Sequence, residues 1–117
     1  MPHVITAPAR IPVPGGKLID EHVGVVSTRT HELSVAHMVA PAGWEEPYQT
    51  PEFDEITVVV EGSLLVDSEG ERFEVRAGQS IVTKAGERVR YAAGPQGAAY
   101  VAVCVPAFTP EAAHRED

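Results

Sequence analysis

The sequence predicts an all-β domain, a sandwich or barrel of about eight short strands. Three observations carry that expectation. Turn signals recur at short intervals, drawn from ten Gly and ten Pro spread along 117 residues. The segment Arg72-Phe73-Glu74-Val75-Arg76 alternates charged and apolar residues with the period of a half-buried strand. Ile56 to Val60 is a dense β-branched run closed by Glu61-Gly62.

Along the chain, residues 1–16 carry Pro2, Pro8, Pro12, Pro14 and the pair Gly15-Gly16, so they read as an extended arm, an edge strand or a strap. Glu32 to Ala40 is apolar-rich and stops at Pro41-Ala42-Gly43. Ser63 to Val66 follows Gly62 directly, and Asp67-Ser68-Glu69-Gly70 has the composition of a hairpin turn. Ser80 to Thr83, Arg88 to Tyr91 and Ala99 to Val105 complete the strands, separated by Ala85-Gly86 and Gly94-Pro95-Gln96-Gly97. The only helix expected is short and C-terminal: Thr109 suits an N-cap, Pro110 the first helical position, and Glu111 the positive end of the dipole. The expected organisation is one domain over 1–117, with the arm at 1–16, a barrel core at 34–105 and a tail at 106–117.

Bulk properties narrow the function classes. The net charge is −8, which disfavours nucleic acid and anionic membranes as partners. The apolar run Ala98 to Val105 is too short to span a bilayer. A single Cys104 forms no internal disulfide and fits a reducing compartment, so a cytoplasmic location is expected. In the strand at Ile56–Val60, Glu55, Thr57 and Val59 share one face and Ile56, Val58 and Val60 the other. An apolar set on both faces predicts that both are covered, the second by the arm or by another subunit, hence a homodimer.

Gly43, Glu55 and Gly62 stand at the intervals of the first cupin motif, with Gln49 and Pro51 where that motif has its two histidines. Gly78 and Gly86 fit the second motif, with Lys84 in place of its Pro and Val89 in place of its His. Over residues 34 to 105 the chain thus resembles the cupins, and within them the ethanolamine-utilisation type, whose histidine set is also eroded. The resemblance implies a double-stranded β-helix, a jelly-roll-like barrel with an interior pocket, and a Glu55 that points into it. Arg88 and Arg90 alternate with Val89 and Tyr91, so the arginines should face solvent and Val89 the interior, where it cannot bind a metal.

Glu55 is therefore the leading catalytic candidate, as a general base whose burial raises its pKa. His37 shares a strand face with Val35 and Val39; if those valines are core, it points inward beside Glu55 and completes a proton-transfer pair. Gln49 and Tyr48 in the adjoining loop, Trp44 and Tyr91 as apolar walls with a polar tip, and Thr57 and Val89 as inward strand residues are the expected substrate-binding set. Cys104, if Val103 and Val105 face inward, points outward as inert packing. No cofactor is expected; a divalent metal, if any, would use Glu55, His37 and Gln49, a weak mixed donor set. His3, His22, His31 and His114 have no ligand-like spacing.

The leading functional expectation is a small-molecule pocket supporting metal-independent acid/base chemistry, as in an isomerase, lyase or cyclase. The rivals are a metal-dependent enzyme with an atypical Glu/His/Gln site and a non-catalytic ligand-binding or sensing module.

Overall fold

The computed structural model describes residues 1–116; the last residue of the expected tail, Asp117, lies outside them. Among these, seven strands and one helical turn form in the order β1 (Ala9–Ile11), β2 (Leu18–Val23), β3 (Ser34–Ala40), β4 (Asp54–Ser68), β5 (Glu71–Arg76), β6 (Ser80–Thr83), β7 (Arg90–Val105) and α1 (Pro110–Ala113). All belong to one antiparallel sheet ordered β1-β2-β3-β7-β4-β5, with β6 pairing the first half of β4. The fold is all-β with one short C-terminal helical turn, as the sequence predicts. The proline-rich arm supplies β1 as an edge strand, where missing N–H donors cost no ladder bonds.

Two differences from the sequence expectation shape the barrel. Ile56–Val60 and Ser63–Val66 are halves of one 15-residue strand, and the segments flanking Gly94–Gly97 belong to one 16-residue strand. Pairing between β4 and β7 slips at Val59/Glu61 and at Gly62/Leu64, so both strands bend there instead of ending. The bend lets each long strand serve two parts of a curled sheet. At Gly62 in this bend, φ +70°, an added Cβ would stand 2.1 Å from the backbone carbonyl oxygen of Gly97. Gly62→Ala should therefore cost about 3 kcal/mol and lower the melting temperature by on the order of 10 °C, read by thermal denaturation. The β4–β5 hairpin closes through Glu69 and Gly70, both at positive φ, as a primed turn requires.

One apolar cluster centres on Trp44, Val59, Leu64, Val66, Val89 and Tyr100. A smaller one joins Phe53, Cys104 and Ala113 with Phe108, whose ring meets Phe53 edge-on at 5.7 Å. The second cluster anchors the tail across the open end of the sheet. There Thr109 caps α1 by accepting from the Ala112 N–H, and the Glu116 N–H reaches the Tyr48 carbonyl. His114, for which the sequence suggested no role, pairs with Glu52 on the outside of this strap.

Of the two covers expected for the outer face of the sheet, the arm is not the one. Ile56, Val58, Val60 and Val82 remain 40%, 42%, 52% and 57% exposed, so nothing among the described residues covers them fully. The arm pairs with β2 at the far edge and does not reach this face.

Candidate functional site

Strand register defines the inner face row by row. Glu55 lies opposite Cys104, which lies opposite Ser34. The next row runs Thr57, Ala102, Ala36, Glu21, and the next Val59, Tyr100, Met38, Ile19, Ile11. The first two rows contain Cys104, Ser34, Thr57, Ala102 and Ala36, small residues that leave space: a cavity of about 440 Å³ opens over this face. Its opposite wall comes from the segment 44–49, which runs along the start of β7 through hydrogen bonds such as Gln49 N–H to Val89 O (2.9 Å) and Val89 N–H to Gln49 O (2.8 Å). The tail closes one side with Thr109, Pro110, Ala113 and Arg115.

Glu55 reaches this cavity from the β4 inner face and is 9% exposed. No ion-pair partner stands within 4 Å of it among the described residues. Burial pushes its carboxyl up from the usual 4.5 to about 7, and the neighbouring Glu46 adds to the rise. Lys17 opposes it, as do the Thr57 hydroxyl and the Cys104 thiol. The Thr57 hydroxyl is buried and makes no hydrogen bond of normal geometry, so its hold on Glu55 is weak. A carboxyl with this pKa exists in both protonation states near neutrality, which is what a general acid or base needs.

Charged residues that sequence reasoning missed also face the cavity, Lys17, Glu21, Glu46 and Arg115 among them. Lys17, in the turn before β2, is 9% exposed and lines the cavity. Its Nζ lies 4.1 Å from the Trp44 ring centroid and 5.3 Å from that of Tyr100, and it makes no hydrogen bond or ion pair among the described residues. Burial lowers its pKa, against the pull of Glu46 and Glu55. Glu46 also faces the cavity; its carboxyl is pushed up by burial, while Arg115 from the tail pairs with it at 3.2 Å. Arg115 also donates to the Gln49 side chain at 3.5 Å, a long contact. In the sequence Lys17, Glu46 and Arg115 look like surface charges. The one available signal is that Lys17, Ile19 and Glu21 share the strand phase of the inner face.

Of the residues expected to bind substrate, Gln49 and Tyr91 line the cavity. The Tyr91 hydroxyl is 3.0 Å from that of Thr83, and burial raises its pKa. Trp44 lies under Lys17, and Thr57 and Val89 are buried beside the cavity, Thr57 in the second row of the inner face and Val89 on the same side of its ladder as Gln49. Tyr48 is on the outside: its ring is stacked beneath Arg88 at 3.8 Å and Arg90 at 4.9 Å. Two orientations need correction. His37 pairs across the sheet with Asp20 and Val101 on the outer face, away from Glu55. Cys104 points inward to the cavity, where burial pushes its thiol up. The reason is common to both: β3 and β7 carry their valines outside, and Ser, Ala, Met and Cys line the hollow interior.

The positions matching the cupin ligand histidines are Gln49, Pro51 and Val89, and the structure brings Gln49 and Val89 together as a backbone pair beside Glu55's cavity. Among the described residues no three of His, Cys, Asp and Glu form a ligand-like group. One carboxylate and one amide do not fit the donor sets of Zn, Fe or Mn, and the trio Glu55, His37 and Gln49 is not assembled.

The Cupin domain family, Cupin_2, matches residues 36–105, most of the barrel. The chain belongs to the cupins. Solved structures sharing the fold of this cupin include KdgF from Halomonas sp., at TM-score 0.73 and 18% identity, covering 88% of this chain and 89% of that one. The EutQ protein of Clostridium difficile matches at TM-score 0.64 and 18% identity, covering 83% and 75%. A curated protein of Myxococcus xanthus (strain DK1622) named "Endoribonuclease YbeY" is 49% identical over 107 residues, 91% of this chain. The cupin spans only 36% of that protein's length, so the name carries no activity across. No helix among the described residues is long and apolar enough to cross a membrane.

Proposed function

We propose that this cupin binds a small organic molecule in the barrel cavity and transfers a proton on it, with Glu55 as the base and no metal required. The observation that carries the reading is Glu55 itself: a buried carboxyl without an ion-pair partner among the described residues, facing a 440 Å³ space. Such a group is costly to keep unless it acts on something that enters. His37 is not its partner; Tyr91, Gln49 and Lys17 share the cavity with it. Apolar walls from Ile11, Ile19 and Met38 suit a substrate with an apolar body and few polar groups. The test is solvent-deuterium incorporation into a panel of carbonyl compounds, followed by NMR with the parent and with Glu55→Gln. Exchange in the parent alone supports the base; tight binding with no exchange in the parent makes this a binding module instead.

A second copy is proposed as the cover of the outer face. A chain of charge −8 repels its twin, so contact between copies needs an uncharged surface. Ile56, Val58, Val60 and Val82 provide one, with Val35, Val101 and Val103 continuing it across the sheet. Sedimentation should give a dimer for the parent and a monomer for Val58→Glu, because a carboxylate would meet its own copy in the contact. A monomeric parent would remove the proposal.

A further inference from the structure

Lys17 is unusual among the charged groups of this protein. Asp20, Asp54, Asp67 and Glu116 each have a cationic partner near the surface, and Glu46 has Arg115. The Lys17 ammonium is nine-tenths buried, faces the cavity, stands over the Trp44 and Tyr100 rings, and among the described residues makes no hydrogen bond or ion pair. A ring face holds a cation in place but accepts none of its three N–H bonds in the way an oxygen does. The ammonium is therefore held in position with donors to spare. Glu55 faces the same space, close enough for the two to feel each other's charge yet more than an ion-pair distance apart. The gap between a base and an unused cation is where a polarised group fits.

We propose that Lys17 receives the carbonyl oxygen of the ligand, which makes the substrate an enolisable ketone or aldehyde with an apolar body. This rests on the reading of Glu55 as the base. In the step, Glu55 takes a proton from the carbon beside the carbonyl. The C–H bonding pair becomes the C=C bond of the enolate, and the C=O π pair moves onto oxygen. Lys17 keeps its protons and neutralises that oxygen by hydrogen bonding. Return of the proton from Glu55 to a different carbon or face completes an isomerisation with no net gain or loss of electrons. The charge thus shifts from Glu55 toward Lys17, and the preorganised ammonium stabilises it without rearrangement. Lys17 is in this sense a catalytic residue that touches the reacting oxygen.

The test uses 4-nitrophenol, whose phenolate mimics an enolate oxygen and reports its ionisation by absorbance. It is bound to Glu55→Gln, whose neutral amide imitates Glu55 after it has taken the proton. Replacing Lys17 by Met should leave folding intact, because Met fills the same site over Trp44 and Tyr100 without a buried charge. In Glu55→Gln the bound probe should be phenolate at a pH tenfold more acidic in proton activity than in free solution. In the Lys17→Met/Glu55→Gln double variant that shift should vanish and phenolate affinity fall at least 10-fold. Lys17→Arg in the same background should recover part of it. Quenching of Trp44, the single tryptophan, gives an independent binding signal. Equal phenolate binding with and without Lys17 would overturn the inference while leaving deuterium exchange, and hence the Glu55 reading, intact. Borohydride trapping of a ketone probe on Lys17 would overturn it too, by showing a covalent imine in place of an oxyanion contact. Loss of exchange in Glu55→Gln together with unaltered exchange in Lys17→Met would have the same consequence.

Discussion

Glu55→Gln should abolish proton transfer and at the same time make the folded protein more stable at pH 8. The first effect is a loss of at least about 100-fold in exchange rate, the scale of a removed general base. The second follows from where the proton sits. The folded protein holds the Glu55 proton up to about pH 7, while the unfolded chain releases it near 4.5. Between those values the folded state binds more protons than the unfolded one, so stability falls as pH rises. At about 1.4 kcal/mol per pH unit the parent gives up roughly 3 kcal/mol by pH 7, and nothing further from this group above it. Glutamine has no such proton. Urea denaturation of the two proteins should coincide most closely below pH 4.5 and diverge by up to about 3 kcal/mol at pH 8, with the variant the more stable. Glu46 is raised in the same direction and stays in both proteins, so the difference between them isolates Glu55. Parallel pH profiles would mean that Glu55 is ionised comfortably inside the barrel, and its role as a poised base would fall with that result.

The same cavity explains what could be read from the sequence. Strand existence followed from turns and β-branched runs, and Glu55's inward aim from the cupin spacing of Gly43, Glu55 and Gly62. Phase on β3 and β7 did not follow. In a filled core valines point in, but this barrel is hollow over β3 and β7, and its inner positions are Ser34, Ala36, Met38, Ala102 and Cys104. A reader who assigns valines to the core therefore turns His37 inward and Cys104 outward, each by one residue of register. Lys17, Glu46 and Arg115 were illegible for a different reason. They lie at least 29 residues apart in sequence, and their convergence depends on the turn before β2, the loop and the tail meeting over one cavity. Local pattern carries no trace of such a meeting. Nor does it show that Tyr48 would be taken by Arg88 and Arg90 on the outer side.

Restoring histidines at positions 49 and 89 should turn this cavity into a metal site. Gln49 and Val89 exchange both backbone hydrogen bonds, so their side chains leave the ladder on the same side, and Gln49 faces the space that Glu55 faces. Two imidazoles and one carboxylate are a sufficient donor set for Zn²⁺ or Ni²⁺; one amide and one carboxylate are not. The Gln49→His/Val89→His variant should bind Zn²⁺ or Ni²⁺ on the order of 1,000-fold more tightly than the parent, about 4 kcal/mol, by equilibrium dialysis. Without metal it should be less stable by about 1–3 kcal/mol, because an imidazole replaces a side chain that is 1% exposed. Adding zinc should return that stability in proportion to occupancy, and should leave the parent's melting temperature where it was. The proton-transfer reading of the parent adds one condition: its exchange activity should survive chelation. If the purified parent instead carries near-stoichiometric Fe, Mn, Ni or Zn that is lost in Glu55→Ala, the base assigned to Glu55 becomes a ligand. The chemistry of this cupin then returns to a metal centre built from donors other than the family's histidines.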